Sequence, residues 1–405
     1  MLKDADSSCD PATEWNRFWS LDPAVTFLNH GSFGACPLTV LEAQAGLREQ
    51  LEREPVRFFV REFEQLLDAS RSQLAKFVGA DPDELAFVPN ATTGVNAVLR
   101  SLEFESDQEL LTTDHEYNAC RNALDFIADR TGARVVVAKI PFPIDSPDQV
   151  VEAVVKRVSA KTRLALLDHV TSQTGLIFPI QQLVSKLAER GVDTLIDGAH
   201  APGMVPLNLR EIGATYYTGN CHKWLCAPKG AAFLYVRLDK QPAIRPLTIS
   251  HGANSPRSER SRFQLEFDWM GTDDPTAYLC VPEAIRFMGS VLPGGWLELM
   301  ARNRDMALAA RQLLCEALGV SLPCPAQMIG SMAVVPLPDS VPNIVRTKLI
   351  PPLQDALWER FKIEVPVIPR SVVPKQLIRI SAQLYNTRQQ YEYLARALVE
   401  LLAGV

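Results

Sequence analysis

Short, nearly continuous apolar runs alternate with amphipathic stretches through most of the chain, and this alternation limits the possible folds more than any other feature. The apolar runs lie at 84–88, 109–113, 134–140, 163–170, 192–197, 214–219 and 231–236. Several of them are separated by segments with helical periodicity. Strands that are apolar on both faces and alternate with helices are typical of a mostly parallel sheet covered on both sides. The sequence therefore predicts an α/β fold.

The C-terminal part of the chain has a different pattern. A long amphipathic helix is predicted over 294–318, followed by strand-like SMAVVPL, helix-like IPPLQDALWERF, strands in IEVPV and LIRIS, and a last helix from about Thr387. These elements predict a smaller α+β unit. Because 405 residues exceed one simple core, we expect an N-terminal arm at 1–22, a large domain at 23–290 and a small domain at 291–405.

Charge and composition exclude several classes of protein. A formal net charge of −6 provides no basic stripe for a nucleic acid. No apolar stretch approaches membrane-spanning length, and the start MLKDADSSCD lacks the apolar core of a signal peptide. Cysteines are scattered without a CxxC pair, and the Cys221, His222, Cys226 cluster lacks a second ligand pair for a metal. We expect a cytoplasmic protein without a metal, nucleic acid or membrane partner.

Asp197 and Lys223 are the first candidate site residues. Asp197 ends an apolar strand in LIDGAHAPG, and ligands of open α/β sheets bind at that edge; a cap on the following turn is the alternative. Lys223 follows the next β-rich run, although an isolated lysine is usually solvated. Pyridoxal phosphate (PLP) needs a lysine amine for its Schiff base and a carboxylate that keeps its ring nitrogen protonated. The order of the two residues predicts such a site.

A phosphate seat and two histidines extend this prediction. FVPNATTGVN places Ala91, Thr92 and Thr93 where a strand turns into a helix, whose N–H groups bind phosphate; an ordinary N-cap is the alternative. His115 lies beyond another strand in LLTTDHEYNA, where an imidazole could stack on the cofactor ring, and His200 follows Asp197 closely enough to face the same pocket. No GxGxxG or GxxxxGK[ST] loop indicates a nucleotide site.

Taken together, these segments resemble the class V aminotransferase family of fold-type I PLP enzymes, over about residues 23–400. FLNHGSFGACP is similar to the family's opening motif, NATTGVN to its phosphate-binding helix start, DHEYNA to the ring-stacking segment, DGAH to the acid motif, HKW to the lysine motif and IRISAQLYNT to the arginine motif. LNHGSFG, DGAH and TGNCHKWL look most like isopenicillin N epimerase-type members. The resemblance implies a PLP-dependent transferase fold, with PLP as cofactor and an amino acid as substrate.

The resemblance also implies roles for single residues. Lys223 would carry the cofactor, Asp197 would pair with its ring nitrogen, His115 would stack on the ring, and His200 would stand near the phenolic oxygen, where many relatives have glutamine. Further cofactor contacts implied by the family are Ala91, Thr92, Thr93, Thr218, Asn220, His222, and Ser172 or Gln173.

For the substrate and the partner subunit, the resemblance implies four more residues and a homodimer. Arg379 would bind the substrate carboxylate in bidentate fashion, and Asn29 and His30 would lie on the segment that closes over it. Thr272, in WMGTDDPTAYL, would reach the phosphate of the neighbouring subunit, or cap the helix that begins near Pro275.

The expected reaction starts at the α carbon. Desulfurases of the family carry a nucleophilic cysteine shortly before the arginine, but the stretch from Ala326 to Arg379 contains none, which disfavours persulfide chemistry. Our first hypothesis is an amino-acid epimerase, with Lys223 as one base and His115, His200 or Tyr385 as the second group. A C–S or β-elimination lyase uses the same residues through the first proton transfer. An aminotransferase and a catalytically silent PLP-fold binding protein are weaker alternatives.

Overall fold

The computed structural model describes residues 14–338, 350–370 and 372–403. The strands are β1 (Thr26–Phe27), β2 (Leu85–Val88), β3 (Glu109–Thr113), β4 (Arg134–Ala138), β5 (Thr162–Asp168), β6 (Asp193–Asp197), β7 (Tyr216–Asn220), β8 (Ala232–Val236), β9 (Met332–Pro336), β10 (Ile363–Glu364), β11 (Val367–Pro369) and β12 (Gln376–Ser381). The α-helices are α1 (His30–Phe33), α2 (Leu38–Arg53), α3 (Pro55–Arg57), α4 (Phe63–Val78), α5 (Ala91–Ser101), α6 (Asn118–Thr131), α7 (Asp148–Val155), α8 (Ile180–Ala188), α9 (Leu209–Ile212), α10 (Arg262–Phe267), α11 (Thr276–Leu279), α12 (Val281–Ser290), α13 (Gly295–Leu318), α14 (Pro352–Phe361) and α15 (Arg388–Ala403).

The large sheet has seven strands in the order β2-β8-β7-β6-β5-β3-β4. Pairs β3–β4, β3–β5, β5–β6 and β6–β7 are parallel, whereas β8 runs antiparallel to both β7 and β2. The mostly parallel sheet predicted from the apolar runs is therefore confirmed. Its parallel strands end at one edge, and several of the side chains predicted for the site lie at this edge.

Both faces of the sheet are covered. Neighbouring residues of β6 belong to different cores: Leu195 packs in the cluster that includes Val95 of α5 and Leu124 of α6, whereas Ile196 packs in the cluster that includes Leu183 of α8. Successive side chains of a strand point to opposite faces. This double burial explains why the strands read as continuous apolar runs instead of alternating ones.

A second layer forms from the C-terminal elements and the start of the chain. β11, β12 and β9 form a three-stranded antiparallel sheet, and α13 packs against both β9 and α15. β1 pairs in parallel with β10, so the segment before α1 joins this C-terminal unit. The predicted boundary at 290 falls between α12 and α13, and the division into domains stays a prediction.

The predicted N-terminal arm is only partly covered, because residues 1–13 lie outside the described ranges. The remainder packs on the body of the protein: Trp19 is buried, and its ring meets that of Tyr385 edge-on at 5.2 Å between centroids. Within the described ranges, no helix combines the length and the apolar character needed to cross a membrane.

A cavity mutation tests the central position of β6. We expect Ile196→Ala to lower the free energy of unfolding by about 2–5 kcal/mol, because it removes a fully buried side chain that its neighbours replace only in part. Urea unfolding followed by circular dichroism measures the change. The matched control is Val399→Ala on the exposed side of α15, which should stay within about 0.5 kcal/mol of the parent. Equal effects of the two substitutions would contradict this packing.

Candidate functional site

A cavity of about 280 Å³ lies at the carboxyl ends of three neighbouring strands. Asp168 ends β5, Asp197 ends β6 and Asn220 ends β7, and all three line the cavity. Parallel strands bring such terminal residues together at one edge, which is the usual ligand position in open α/β sheets. Lys223 follows β7 directly and lies in the same cavity.

Not every residue predicted for the site lines this cavity. Those that line it are Ala91, Thr92, Ser172, Asp197, His200, Asn220, His222 and Lys223. The cavity also contains residues that the sequence did not single out, namely Ser32, Phe33, Asn90, Tyr117, Asp168, Val170 and Ala199.

The amine of Lys223 is enclosed and lies near His200, Asp197 and Asp168. Its Nζ is 3.0 Å from Nε2 of His200. Burial lowers the pKa of Lys223 from 10.5 to about 8; the negative charge of Asp197 opposes this effect and the positive charge of Arg379 adds to it. The uncharged amine, which is the form that reacts as a nucleophile or base, is therefore far more available near neutral pH than in an ordinary lysine.

The hydrogen bonds of His200 fix the position of its proton. Nε1–H of Trp224 donates to Nδ1 of His200 at 3.4 Å, so Nδ1 acts as the acceptor. Burial and the nearby charge of Lys223 hold the pKa of His200 well below its usual value, so the ring is neutral and carries one proton, on Nε2. Nε2–H then donates to Nζ of Lys223, which agrees with an uncharged lysine amine.

Asp197 is surrounded by donors and by other acids. Its Oδ1 accepts a hydrogen bond from the N–H of Ala199 at 2.8 Å, and its Oδ2 accepts one from the thiol of Cys120 at 3.1 Å. Burial, together with repulsion between the carboxylates, raises the pKa of Glu116 and of Asp168 well above the usual value. Ligand atoms of Glu116, Cys120 and Asp197 lie within 4.8 Å of one another. The thiol donates to Asp197, however, and burial raises the pKa of both Glu116 and Cys120, whereas metal ligands must be deprotonated.

The start of α5 provides a limited set of donors. Oδ1 of Asn220 accepts from the N–H of Ala91 at 2.9 Å, and Oδ1 of Asn90 accepts from the N–H of Thr93 at 2.8 Å. The hydroxyl of Thr93 also donates to Asn90, so Thr93 serves as a capped helix residue away from the cavity. The N–H of Thr92 has no partner among the described residues, and a helix N-terminus favours an anion there.

Thr218 lies behind α5 instead of in the cavity. Its hydroxyl donates to the carbonyl of Phe233 at 2.8 Å. A side chain at Gly94 would come within 2.3 Å of Oγ1 of Thr218, so the glycine allows α5 to approach β7 closely. His222, by contrast, does line the cavity, and its Nδ1 bonds to the carbonyl of Ala231 at 3.0 Å.

Arg379 is buried, and none of the described residues is an acidic partner for it. Its Nη1 donates to the carbonyl and hydroxyl of Ser172, at 2.7 and 3.3 Å. Its Nη2 donates to Oγ of Ser32 at 2.8 Å and to Oδ1 of Asn29 at 3.4 Å. Burial lowers its pKa to about 10. Neutral oxygens orient the guanidinium and leave its positive charge uncompensated, which suits a carboxylate ligand.

His30 and Tyr385 support the lysine from behind. Nδ1 of His30 lies 2.8 Å from Oη of Tyr385, and its Nε2 lies 3.1 Å from the carbonyl oxygen of Lys223. Both side chains are buried, and neither lines the cavity. Their position indicates that they hold the backbone of Lys223.

His115 and Thr272 occupy two further positions outside the cavity lining. Nδ1 of His115 bonds to Oγ1 of Thr174 at 2.8 Å, while its buried Nε2 has no partner among the described residues. Burial, with the charge of Arg370 as a smaller cause, lowers the pKa of His115 to about 3. Thr272 lies in an exposed loop before α11.

Comparisons with known proteins bear on the family. The family described as Aminotransferase class-V matches residues 39–348. The isopenicillin N epimerase of Amycolatopsis lactamdurans is 37% identical over 398 residues, covering 94% of this chain and 96% of that protein. The probable chloroplastic L-cysteine desulfhydrase of Arabidopsis thaliana is 31% identical over 404 residues, covering 95% of this chain and 84% of that protein.

The solved structures agree on the fold. A mutant of the protein C-DES, solved with glycine covalently linked to its PLP cofactor, has a TM-score of 0.77 and 21% sequence identity, covering 96% of this chain and 99% of that chain. This similarity confirms the predicted fold class. The family match and the high coverage of the relatives confirm the predicted family, and the chain belongs to the class V aminotransferase family.

Proposed function

We propose that the chain is a PLP-dependent enzyme that acts at the α carbon of an amino acid, as an epimerase of the isopenicillin N epimerase type. The observation that carries the proposal is the buried amine of Lys223, whose pKa is about 8, beside His200 and in one cavity with Asp197. Relatives from Amycolatopsis lactamdurans and Streptomyces clavuligerus that carry the name isopenicillin N epimerase, at 37% and 35% identity, support the epimerase assignment.

The side chains at the cavity fit PLP. Lys223 provides the amine for the covalent link, with a lowered pKa, and Asp197 provides a carboxylate for the ring nitrogen. Thr92 provides, for the phosphate, an N–H without a partner among the described residues. The buried Nε2 of His115 has no hydrogen-bond partner among the described residues, and an imidazole with a free nitrogen suits a contact with the cofactor ring. When bound, PLP withdraws electron density from the Cα–H bond of an amino acid attached to it.

The protein's own contribution is to hold the amino acid and to move its Cα proton. Arg379 binds the α-carboxylate through the fork that Ser172 and Ser32 already orient. Lys223 takes the proton in its uncharged form, which burial makes more available, and Nε2–H of His200 keeps the amine in position.

An epimerase needs a second group that returns the proton from the opposite side. The hydroxyl of Tyr385 is held by Nδ1 of His30 behind Lys223, which argues against Tyr385. The 3.0 Å contact of His200 with Lys223 argues that those two act on the same side. We propose that His115, or the phenol of Tyr117 in the cavity lining, is the second group.

A C–S or β-elimination lyase is the second candidate function. Relatives named L-cysteine desulfhydrase are 30–33% identical to this chain. The same residues would take the proton, after which a leaving group departs from Cβ. A protein-bound persulfide is disfavoured, because every described cysteine is buried and burial raises the pKa of each thiol. These free thiols also support the proposed cytoplasmic location.

We also propose a homodimer with shared active sites. Phe33 lines the cavity yet is 75% exposed, and further exposed apolar side chains follow it at Val56 and Val60. Exposed apolar groups at the rim of a site are typical of a surface covered by another protein. Thr272, in its exposed loop, is the residue proposed to reach the partner's cofactor phosphate.

The protonation of Lys223 can be measured in protein freed of cofactor. We expect its acylation, followed by mass spectrometry across a pH series, to rise with pH around a midpoint near 8, because only the uncharged amine reacts. Asp197→Asn should move the midpoint down, since a negative charge that favours the cation is lost. Arg379→Gln should move it up, since a repelling cation is lost. A midpoint near the ordinary value of 10.5 would contradict the enclosed amine.

The reaction is tested by hydrogen exchange. In deuterated water, holoenzyme should incorporate deuterium at Cα of its substrate; isopenicillin N and L-cysteine are the first to assay. An epimerase gives the opposite configuration without a 2-keto acid, whereas a lyase releases a 2-keto acid and ammonia. His115→Gln or Tyr117→Phe, whichever removes the second group, should keep exchange and lose inversion. Lys223→Ala is the control that loses both exchange and inversion. A persulfide on the protein would contradict our exclusion of persulfide chemistry.

Shared sites predict complementation between inactive subunits. We expect Thr272→Glu to repel the cofactor phosphate of the partner, and Lys223→Ala to lose the amine, so each variant alone is inactive. Mixed dimers regain one intact site, because Lys223 and Thr272 then come from different chains. Light scattering measures the oligomeric state of each sample. Full activity from a monomer, or no recovery in verified mixed dimers, would contradict the proposal.

A further inference from the structure

Arg370 is a second arginine on the face of the small sheet that carries Arg379. Its N–H donates to the carbonyl of Lys375 at 2.7 Å, and the N–H of Arg379 donates to the carbonyl of Pro366 at 3.1 Å, so the pairing of β11 with β12 extends past both ends of β11. Opposite residues of an antiparallel pair share a face, and so do alternate residues along each strand. Arg370 and Arg379 therefore lie on one face, roughly 13 Å apart along it at ~3.3 Å per residue.

A short chain of contacts connects Arg370 to the site. Its guanidinium carbon lies 4.7 Å from the centroid of the Phe142 ring, and this ring meets His115 edge-on at 5.9 Å between centroids. The charge of Arg370 also contributes, after burial, to the lowered pKa of His115. Arg370 thus lies beside the residue proposed to contact the cofactor, while Arg379 bonds to Ser172, which lines the cavity.

None of the described residues accepts a hydrogen bond from the guanidinium of Arg370. Its Nη1 is buried and has no hydrogen-bond partner among the described residues, and none of their ion pairs involves Arg370. Asp114 attracts it only at longer range. A buried charged donor without an acceptor is costly, whereas a planar guanidinium is well suited to a carboxylate that arrives with a ligand.

We propose that Arg370 binds a carboxylate at the far end of the substrate side chain, so that the enzyme prefers amino acids with a distal carboxylate. This inference rests on the proposed function, because Arg379 must hold the α-carboxylate. Short substrates with one carboxylate would leave Arg370 unpaired. Arg379 then binds the α-carboxylate and Arg370 the distal carboxylate, from one face of the same sheet.

Matched amino acids that differ only in the distal carboxylate test the assignment. The pairs are L-glutamate with L-norvaline, L-2-aminoadipate with L-norleucine, and L-2-aminopimelate with L-2-aminoheptanoate. Titration calorimetry on holoenzyme should show the dicarboxylic member of at least one pair binding about 10- to 100-fold more tightly, as expected for a charged hydrogen bond. Arg370→Gln should bring the two affinities together without changing that of the apolar member. Arg370→Lys should keep part of the preference.

Controls separate this inference from the function on which it rests. Arg360→Gln removes an exposed arginine of the same unit that pairs with Glu400, and should keep the full preference. Equal affinities within every pair, or an equal loss for both members in Arg370→Gln, would overturn the role of Arg370. Deuterium exchange at Cα, measured on the same amino acids, reports on the proposed function separately. No exchange together with a retained affinity ratio would contradict the function and leave Arg370 assigned as a carboxylate-binding residue.

Discussion

The proximity of two carboxyl groups at the sheet edge sets the requirements for the rest of the site. Asp168 and Asp197 are register partners at the ends of β5 and β6, and both are buried. Two adjacent negative charges cannot be removed from water without compensation. Burial and the neighbouring acids therefore raise the pKa of Asp168, while Asp197 receives two hydrogen bonds and lies near the amine of Lys223. The same enclosure that raises the pKa of Asp168 lowers that of Lys223. The pKa values of this acid and this base thus move towards each other because burial acts on both.

The second organising group is the buried guanidinium of Arg379, which connects three distant parts of the chain. It contacts Ser172 after β5 and Asn29 and Ser32 near the N-terminus, and it belongs itself to β12. Since all of these partners are neutral, their hydrogen bonds orient the group without neutralising it. An arginine held in this way retains its attraction for a carboxylate and needs little reorganisation to bind one.

Much of the fold and part of the site follow from sequence because they depend on local patterns. Continuous apolar runs identified the strands, and residues directly after them, such as Asp197 and Lys223, must reach the carboxyl edge of a parallel sheet. Other positions depend on packing that no local pattern contains. Thr218 belongs to β7, as Asn220 does, but its hydroxyl bonds to Phe233, because α5 covers it. His30 turns towards Tyr385 behind the lysine. Glu116 and Tyr117 were missed although they flank the site in DHEYNA, since their relevance depends on how α6 faces β6.

The pairing of β1 with β10 has a consequence for how the protein is made. The N–H of Leu28 bonds to the carbonyl of Glu364, the N–H of Ser381 bonds to the carbonyl of Leu28, and the N–H of Gly31 bonds to the hydroxyl of Ser381. The segment before α1 is synthesised early, whereas its partners Glu364 and Ser381 are synthesised much later. The large sheet can form while the chain is still growing, but the segment before α1 stays without its β-partners until the last strand has left the exit tunnel. A nascent chain that ends before β12 can therefore contain Lys223 and Asp197 in a folded sheet and still lack Arg379, so Arg379 joins the site after the sheet that positions Lys223 can already have folded.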